Sequence, residues 1–214
     1  MTAARPAGRV TEGVRSLEVR WIFPGPLEAA VTRWFARFPA EIRSLEDAYL
    51  LDPQLPGLSV KVRGGGALEV KVYQGSLGLL EVAGRARGRI QSWQKWSFPC
   101  EQPSRGRSGP AAWRPVGKRR RLSRFPPATG PARPRAPRPG DEPKCEVELT
   151  EIRARGQAWW SLGFEATGPA SLLRPELEAT ATLVFAQRPP GGVEFGTRDC
   201  MSYAQWLGQW PQPR

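Results

Sequence analysis

The stretch LSVKVRGGGALEVKV, residues 58–72, alternates charged and apolar side chains on both sides of three consecutive glycines. Successive side chains of a β-strand point to opposite faces, so each half of this stretch would place its charges on one face of a sheet. The glycines predict a turn between two strands, at 58–63 and 67–73. The same alternation recurs at 16–21 and 145–149. Whether these charged faces meet water or line the inside of a barrel decides what they can do.

Further strands are predicted where short runs of alternating or β-branched residues are bounded by glycine or proline. They are expected at 16–23, 45–52, 88–98, 111–125, 144–153, 157–166 and 178–187. Gly75 is expected to form a turn after the strand at 67–73. Many closely spaced antiparallel strands are typical of a closed barrel or a sandwich, so the fold is predicted to be mainly β.

Helical segments are expected to flank these strands. Apolar residues at helical spacing predict one helix over 27–38. A short helical turn is expected around 169–174, stopped by Pro175 before the last strand. A final helix, with Asp199 or Ser202 as its N-cap, is predicted near the end of the chain. Its apolar face would be formed by Tyr203, Trp206, Leu207 and Trp210.

The chain is strongly basic, with 32 Lys and Arg against 20 Asp and Glu and a net charge of +12. This balance predicts anionic partners such as nucleotides, polyphosphate or nucleic acid. Residues 126–143 are rich in proline and arginine and are expected to form a disordered basic loop. We therefore expect a mobile arm at 1–15 and a single domain over 16–210 that this loop interrupts.

The chain has no histidine, which excludes His-based acid–base catalysis, Ser-His or Cys-His nucleophiles and His-ligated zinc. Its three cysteines are far apart and form neither a zinc motif nor a disulfide framework, which fits a reducing compartment. No apolar run approaches the ~20 residues that span a bilayer, and the N-terminus has no apolar signal core. A cytoplasmic protein without a membrane partner is expected; the pattern does not indicate an oligomeric state.

Charged residues recur in phase along the alternating strands, as at Glu18 and Arg20 and at Lys61 and Arg63. Converging carboxylates can hold Mg²⁺ or Mn²⁺ through oxygen, and converging Arg and Lys can bind phosphate oxygens. Phosphoryl transfer uses both kinds of group. Charges that face water would instead form an ordinary solvated sheet surface, and the spacing alone leaves both hypotheses open.

The order of the charged motifs resembles that of the CYTH-like, or triphosphate tunnel metalloenzyme, superfamily. The motifs are SLEVR at 16–20 in place of an opening ExExK strand, DAYLLD at 47–52, LSVKVR at 58–63, LEVK at 68–71, VGKRR at 116–120, CEVEL at 145–149, GFE at 163–165 and a closing helix SYAQWL at 202–207. The resemblance covers residues 16 to 208.

The resemblance implies an α+β, mainly β fold, in which an eight-stranded antiparallel β-tunnel with flanking helices has its charged faces inside. It implies a lumen that binds triphosphate- or polyphosphate-containing anions and hydrolyses them with Mg²⁺ or Mn²⁺. The implied phosphate-binding residues are Arg20, Lys61, Arg63, Lys71, Lys118 and Arg120. The implied metal ligands are Glu18, Glu148 and Glu165, hereafter the candidate metal carboxylates. The implied catalytic residues are Glu18, Arg20 and Lys71.

The chain departs from the family pattern mainly on the acidic side. Ser16, Gln91 and Gly163 stand where family members carry or often carry acids. These departures favour a non-catalytic relative that binds a polyanion as the alternative to a phosphohydrolase. A second alternative is a nucleic-acid-associated protein that acts through the basic segment 103–140, which has eleven Lys and Arg and no acid.

Two further features of the sequence have alternative interpretations. In the run Lys118–Arg121 only alternate residues can face a lumen, and Lys118 and Arg120 are the predicted pair, although the run could equally be a solvated tail. The tryptophans at 93–96 and 159–160 could stack nucleic-acid bases, but such residues more often pack helices onto the outside of a barrel. Tyr203 is interpreted as part of a helix docking face.

Overall fold

The computed structural model describes residues 13–50, 55, 57–64, 66–100, 113–125, 127 and 144–209. The predictions made for residues 1–12, for most of the loop at 126–143, and for Asp52 and Trp210 lie outside the described residues.

The described residues form eight antiparallel strands that close into a barrel. The strands are β1 (Val14–Pro24), β2 (Glu41–Leu50), β3 (Leu58–Arg63), β4 (Ala67–Val82), β5 (Ala86–Pro99), β6 (Trp113–Phe125), β7 (Lys144–Ala154) and β8 (Gln157–Thr167). Around the barrel the order is β1-β5-β4-β3-β2-β6-β7-β8, and the pairing of β1 with β8 closes it. This confirms the predicted α+β, mainly β fold with an eight-stranded antiparallel barrel and flanking helices.

The described helices are α1 (Ala29–Phe35), α2 (Ala170–Phe185) and α3 (Tyr203–Gly208). The strand predicted at 178–187 is wrong, because this segment continues α2. The helix passes through Pro175, which is exposed, so its missing backbone donor faces away from the core. Leu173, Leu177 and Val184 are buried at helical spacing, and this apolar stripe stabilises the helix against the barrel.

The turn predicted at Gly75 is also wrong, because β4 continues past it to Val82. The register with β5 shifts between Tyr73 and Gly75 and again between Ser76 and Leu79. Gly75 and Gly78 have φ values of +128° and +85°, which glycine adopts without the steric cost that a Cβ adds. The two irregularities therefore bend one long strand instead of ending it.

The main hydrophobic core lies outside the barrel wall, between the strands and helices α1 and α2. Leu17, Val19 and Trp21 of β1 are all nearly inaccessible to solvent, since the outward face of β1 is covered. Trp21 makes edge-on contacts with Phe185 of α2 and with Phe195 in the segment that follows it. The apolar half of each alternating strand thus packs outward, and the charged half is left for the lumen.

Helix α3 packs at the end of the barrel where β1 and β2 finish. The segment before α3 pairs with β1: Ile22 donates its backbone N–H to Asp199, and Met201 donates its own to Arg20. Ser202 is the N-cap and forms a capping box with Gln205, which confirms one of the two predicted caps. Trp206 and Leu207 are buried in a second cluster, formed with Ile22, Tyr49, Val116, Ile152 and Ala154.

Within the described part of the chain, no helix has the length and apolar character needed to cross a membrane.

Candidate functional site

The inward faces of the strands enclose a cavity of about 80 Å³ that is lined mostly by charged side chains. Among the described residues, seven basic side chains line it: Arg20, Lys61, Arg63, Lys71, Lys95, Lys118 and Arg120. The acidic lining residues are Glu18, Glu69, Glu148 and Glu165. Every side chain that the sequence analysis proposed for the site therefore lies in this lining, and the charged faces do not form a solvated sheet surface.

Asp47 of β2 is the least exposed carboxylate of the described lumen, with 1% of its side chain exposed. Its Oδ2 atom accepts hydrogen bonds from Lys118 Nζ at 2.9 Å and from Lys61 Nζ at 3.3 Å. Burial alone would raise the pKa of Asp47, but the charges of Lys61 and Lys118 outweigh it and lower the pKa to about 2. Asp47 is therefore ionised at neutral pH and holds two lysines from opposite sides of β2.

Glu148 of β7 joins two arginines that come from different strands. Its Oε1 atom accepts a hydrogen bond from Arg20 Nη1 at 3.2 Å, and its Oε2 atom lies 3.3 Å from Arg120 Nη1. Thr150 donates a second hydrogen bond, to Oε1, at 2.8 Å. Burial would raise the pKa of Glu148, but Arg20 and Arg120 lower it to about 2. A fixed negative charge thus positions both guanidinium groups across the lumen.

Lys71 of β4 bridges two other carboxylates across the lumen. Its ammonium group donates to Glu18 of β1 and, at 3.3 Å, to Glu165 of β8. Burial would lower the pKa of Lys71, but Glu165 and Glu18 raise it above its usual value. Ser16 donates a hydrogen bond to Glu18 at 3.0 Å, and Lys95 lies 3.5 Å from Glu165. The serine that replaces an expected acid is therefore a hydrogen-bond partner of the acid that remains.

Glu69 forms a fourth ion-paired group on the wall made by β3 and β4. Its carboxylate oxygens lie 3.0 Å from Lys61 Nζ and 3.1 Å from Arg63 Nη1. Burial would raise the pKa of Glu69, but these two cations lower it. Lys61 thus lies between Glu69 and Asp47, so the ion pairs run continuously across three neighbouring strands.

Helix α3 adds aromatic and polar groups to the lining at its end of the barrel. The ring of Tyr203 stacks on that of Tyr49 with centroids 5.9 Å apart, and Ser161 and Tyr203 hydroxyls lie 3.3 Å apart. Burial raises the pKa of Tyr203 to about 12, so its hydroxyl remains protonated. Tyr203 is therefore part of the cavity as well as part of the helix docking face, which corrects its predicted role.

The predicted exterior position is also wrong for Trp93, which lies on the inner face of β5 and lines the cavity. It is buried and donates from Nε1 to Gln91 at 3.3 Å. The exterior prediction suits Trp160, which stacks on Phe23 in the outer core.

Sequence reasoning did not include Asp47, Glu69 or Lys95 in the site. Each of these residues alternates in the sequence with another residue that lines the cavity. Glu69 alternates with Lys71, and Asp47 alternates with Tyr49, so each lies in phase with another lining residue. Lys95 follows Trp93 by two positions, but the surrounding tryptophans obscured the alternation.

The basic run on β6 divides between the two sides of the wall. Lys118 and Arg120 line the cavity, as the sequence analysis proposed. Arg119 and Arg121 lie on the other face, where both pair with Glu151, at 3.6 Å and 2.8 Å. Val116 lies on the same inward face of β6 as Lys118 and Arg120. It is buried in the cluster that packs against α3, which determines which residues of the run face the lumen.

The candidate metal carboxylates do not fit a three-carboxylate metal site as they are arranged. In the described part of the chain, no three His, Cys, Asp or Glu side chains lie close enough together to hold a metal ion. Glu18, Glu148 and Glu165 instead each bind a lysine or arginine of the same lumen. Mg²⁺ needs several oxygen ligands at about 2.0–2.1 Å, and these oxygens are directed at nitrogen donors.

The charges of the lumen do not cancel. With Asp47 added to the lining, the described lumen has seven basic and five acidic side chains, an excess of two positive charges. The Nε atoms of Arg63 and Arg120 are buried, and neither makes a hydrogen bond to a described residue. Arg63 Nε lies 3.8 Å from Asp47 Oδ1, which is too far for a hydrogen bond. Buried polar groups are usually hydrogen-bonded, so both donors have unused hydrogen-bonding capacity.

The sequence matches none of the protein families with which it was compared, and a comparison with curated proteins also found no match.

Proposed function

We propose that the lumen of the barrel binds a triphosphate- or polyphosphate-containing anion. The observation that carries this proposal is the net positive lumen, in which seven basic side chains from five strands surround one cavity. Arginine binds phosphate oxygens through two parallel N–H donors of its planar guanidinium, and lysine binds them as a point charge. Both interactions are stronger where water is excluded. A single charged group would not need this many cations, whereas a chain of phosphates would.

The internal ion pairs explain how such a cationic lumen remains folded without its ligand. Each buried carboxylate holds its cations in place, and the pairs across β1, β4, β6 and β7 keep the guanidinium and ammonium groups turned inward. The cations are therefore already ordered when the anion arrives, which lowers the entropic cost of binding. The anion would complete the hydrogen bonding of Arg63 and Arg120 at their Nε atoms.

Membership of the CYTH-like superfamily is part of this proposal. The support is the closed eight-stranded barrel together with the inward position of charged residues from SLEVR, LSVKVR, LEVK, VGKRR, CEVEL and GFE. Catalytic roles for Glu18, Arg20 and Lys71 stay predictions. Because the carboxylates do not fit the metal that hydrolysis in this family requires, we propose binding, the non-catalytic alternative, and not hydrolysis.

The nucleic-acid alternative is less favoured by the described part of the basic segment. Residues 113–125 form barrel strand β6, where Lys118 and Arg120 face the lumen and Arg119 and Arg121 are paired with Glu151. A cytoplasmic location belongs to the proposal as well, supported by three cysteines that are all unpaired.

Titration calorimetry with inorganic triphosphate tests the proposal. Arg120→Gln removes one lumen charge, and Arg121→Gln is the matched control on the outer face of the same strand. A charge-assisted hydrogen bond contributes about 1.5–3 kcal/mol, so Arg120→Gln should weaken binding roughly ten- to a hundredfold. Arg121→Gln should bind like the wild type. No binding by the wild type, or equal losses in both variants, would refute binding in the lumen.

The same titration separates the lumen from the basic segment. Deletion of residues 128–143 removes three arginines and leaves every described lumen residue in place. Triphosphate affinity that survives the deletion supports the lumen. Affinity that is lost with the deletion supports the nucleic-acid alternative, and a steep salt dependence of DNA binding would then be expected.

A further inference from the structure

Gly163 of β8 and Arg20 of β1 are direct neighbours in the barrel and fit together closely. They are paired in register, and Gly163 is also paired with Glu148 of β7. A Cβ atom at position 163 would lie 2.5 Å from Arg20 Cζ and 2.6 Å and 2.8 Å from its two Nη atoms. Real Cβ atoms essentially never approach other atoms so closely, so Gly163 leaves the space that the guanidinium fills.

The backbone gives no other reason for glycine at this position. Gly163 does not have the positive φ value that distinguishes glycines such as Gly75 and Gly78. An L-residue could therefore adopt its conformation, and the side chain of Arg20 is what excludes one. The glycine and the arginine act as a matched pair across β1 and β8.

Arg20 is fixed in this space by groups from three elements. It donates to Glu148 of β7 at 3.2 Å and to Ser161 of β8 at 3.1 Å, and its Cζ atom lies 4.8 Å from the centre of the Tyr203 ring on α3. Only 12% of its side chain is exposed. A guanidinium group held in this way cannot swing aside freely, and it stays charged at every accessible pH.

The guanidinium lies in the electric field of all three candidate metal carboxylates. Burial alone would lower the pKa of Arg20, but Glu148, together with Glu18 and Glu165, raises it above its usual value. Arg20 contacts Glu148 directly and acts on Glu18 and Glu165 only through its field, because those two carboxylates are paired with Lys71. A divalent cation brought among them would meet this positive charge, and a second one on Lys71.

We propose that the Arg20 guanidinium is the resident cation of the candidate metal carboxylates, so that the lumen binds its anion without a divalent metal ion. The metal-independence of anion binding rests on the proposed function. The assignment of Arg20 as resident cation does not, because it concerns the affinity of the free protein for a metal. The residue that permits this arrangement is Gly163.

Two titrations of the wild-type protein test the proposal. In the first, free Mn²⁺ is followed by electron paramagnetic resonance as protein is added, with no anion present, and no binding is expected. In the second, calorimetry measures the affinity for inorganic triphosphate in the presence of EDTA, and binding is expected. Tight Mn²⁺ binding by the free protein, or triphosphate binding only when Mg²⁺ or Mn²⁺ is supplied, would overturn the proposal.

Arg20→Gln extends the test to the residue itself. The amide keeps a donor near Glu148 and removes the charge, so the free protein should gain Mn²⁺ affinity, by about tenfold or more. Arg121→Gln, which removes an arginine from the outer face, should gain none. An Arg20→Gln protein that folds, as judged by circular dichroism, and gains no Mn²⁺ affinity would contradict the assignment. If this variant does not fold, the two wild-type titrations decide the question.

The outcomes also separate this inference from the proposed function. Wild-type protein that binds triphosphate neither with EDTA nor with metal refutes the proposed function, and the Mn²⁺ titration then decides the role of Arg20 alone. Wild-type protein that binds triphosphate only with metal supports the proposed function and overturns this inference.

Discussion

The ammonium group of Lys118 lies 3.9 Å from the centre of the Tyr203 ring. Lys118 belongs to the barrel wall and Tyr203 to α3, so this contact couples the lumen to the helix at the end of the barrel. The same ammonium donates to Tyr49 at 2.7 Å and to Asp47 at 2.9 Å. One side chain therefore joins the least exposed carboxylate of the described lumen to the aromatic groups around it.

Lys118→Met should destabilise the protein by about 3 kcal/mol, because removal of one partner leaves a buried charge undercompensated. Asp47 would keep Lys61 at 3.3 Å and the more distant Arg63 as its cations, with a hydrogen bond from the Tyr49 hydroxyl at 3.4 Å. The double variant Lys118→Met with Asp47→Asn removes the uncompensated charge and should recover part of that loss. Urea denaturation of the wild type, of Lys118→Met, of Asp47→Asn and of the double variant measures the coupling. A double variant whose stability equals the sum of two independent losses would contradict it.

Acid should destabilise the protein through Asp47 and Glu148. Their pKa values in the folded protein are about 2, below the ordinary values of 3.8 and 4.5, so folding favours their ionised forms. This contribution is complete above pH of about 5, where both groups are ionised in the unfolded chain, and it is lost as the pH falls toward 2. Each group contributes roughly 2–3 kcal/mol.

Urea denaturation measured from neutral pH down to acid checks this prediction. The free energy of unfolding should fall through this range, and the fall should be shallower for Asp47→Asn, which has lost one of the two groups. Parallel pH profiles for the variant and the wild type would show that Asp47 is not the group that titrates.

Gly163→Ala should destabilise the protein by about 1–3 kcal/mol, because the new methyl group overlaps the guanidinium of Arg20. Gly117→Ala is the matched control: it is also a strand glycine without a positive φ, and its Cβ would meet no described atom closer than 3.8 Å. The control should change stability by no more than about 0.5 kcal/mol. Thermal denaturation compares the two, and equal effects would contradict the close fit between Gly163 and Arg20.

Pro175→Ala should stabilise the protein. Pro175 is exposed in the interior of α2, where it removes a backbone hydrogen bond and crowds the preceding turn, at a cost of about 3 kcal/mol. Proline also restricts the unfolded chain, which offsets about 0.4–1 kcal/mol of the gain. A gain of roughly 2 kcal/mol is therefore expected, seen as a higher midpoint of thermal unfolding. An unchanged or lower midpoint would mean that the helix is locally adapted to the proline.

The strands and the composition of the site could be predicted because alternation is a local property. At 58–63 the predicted and observed strands coincide, and the charged phase of β3 matches the lining residues Lys61 and Arg63. The local pattern could not show whether the charged face points into the lumen or toward solvent. That direction depends on barrel closure and on helices α1 and α2 covering the other side.

Helix α2 was predicted wrongly because two local signals outweighed the helical spacing of its apolar residues. Pro175 suggested a stop, and the segment ATATLVF at 179–185 has the β-branched and apolar residues of a strand. The spacing of Leu173, Leu177, Ala181 and Val184 fits a helix, and burial against the barrel decides in its favour. The ion pairs of the lumen could not be predicted either, since Lys71 meets Glu165 from 94 positions away.

Because the hydrophobic core lies outside the barrel, neighbouring residues of one strand have separate roles in folding and in the lumen. On β1, changes at Leu17, Val19 or Trp21 act on folding, while changes at Glu18 and Arg20 act on the charges of the lumen. The charged interior of this barrel can therefore vary, provided that each carboxylate changes together with its cation, while the scaffold is maintained from the outside.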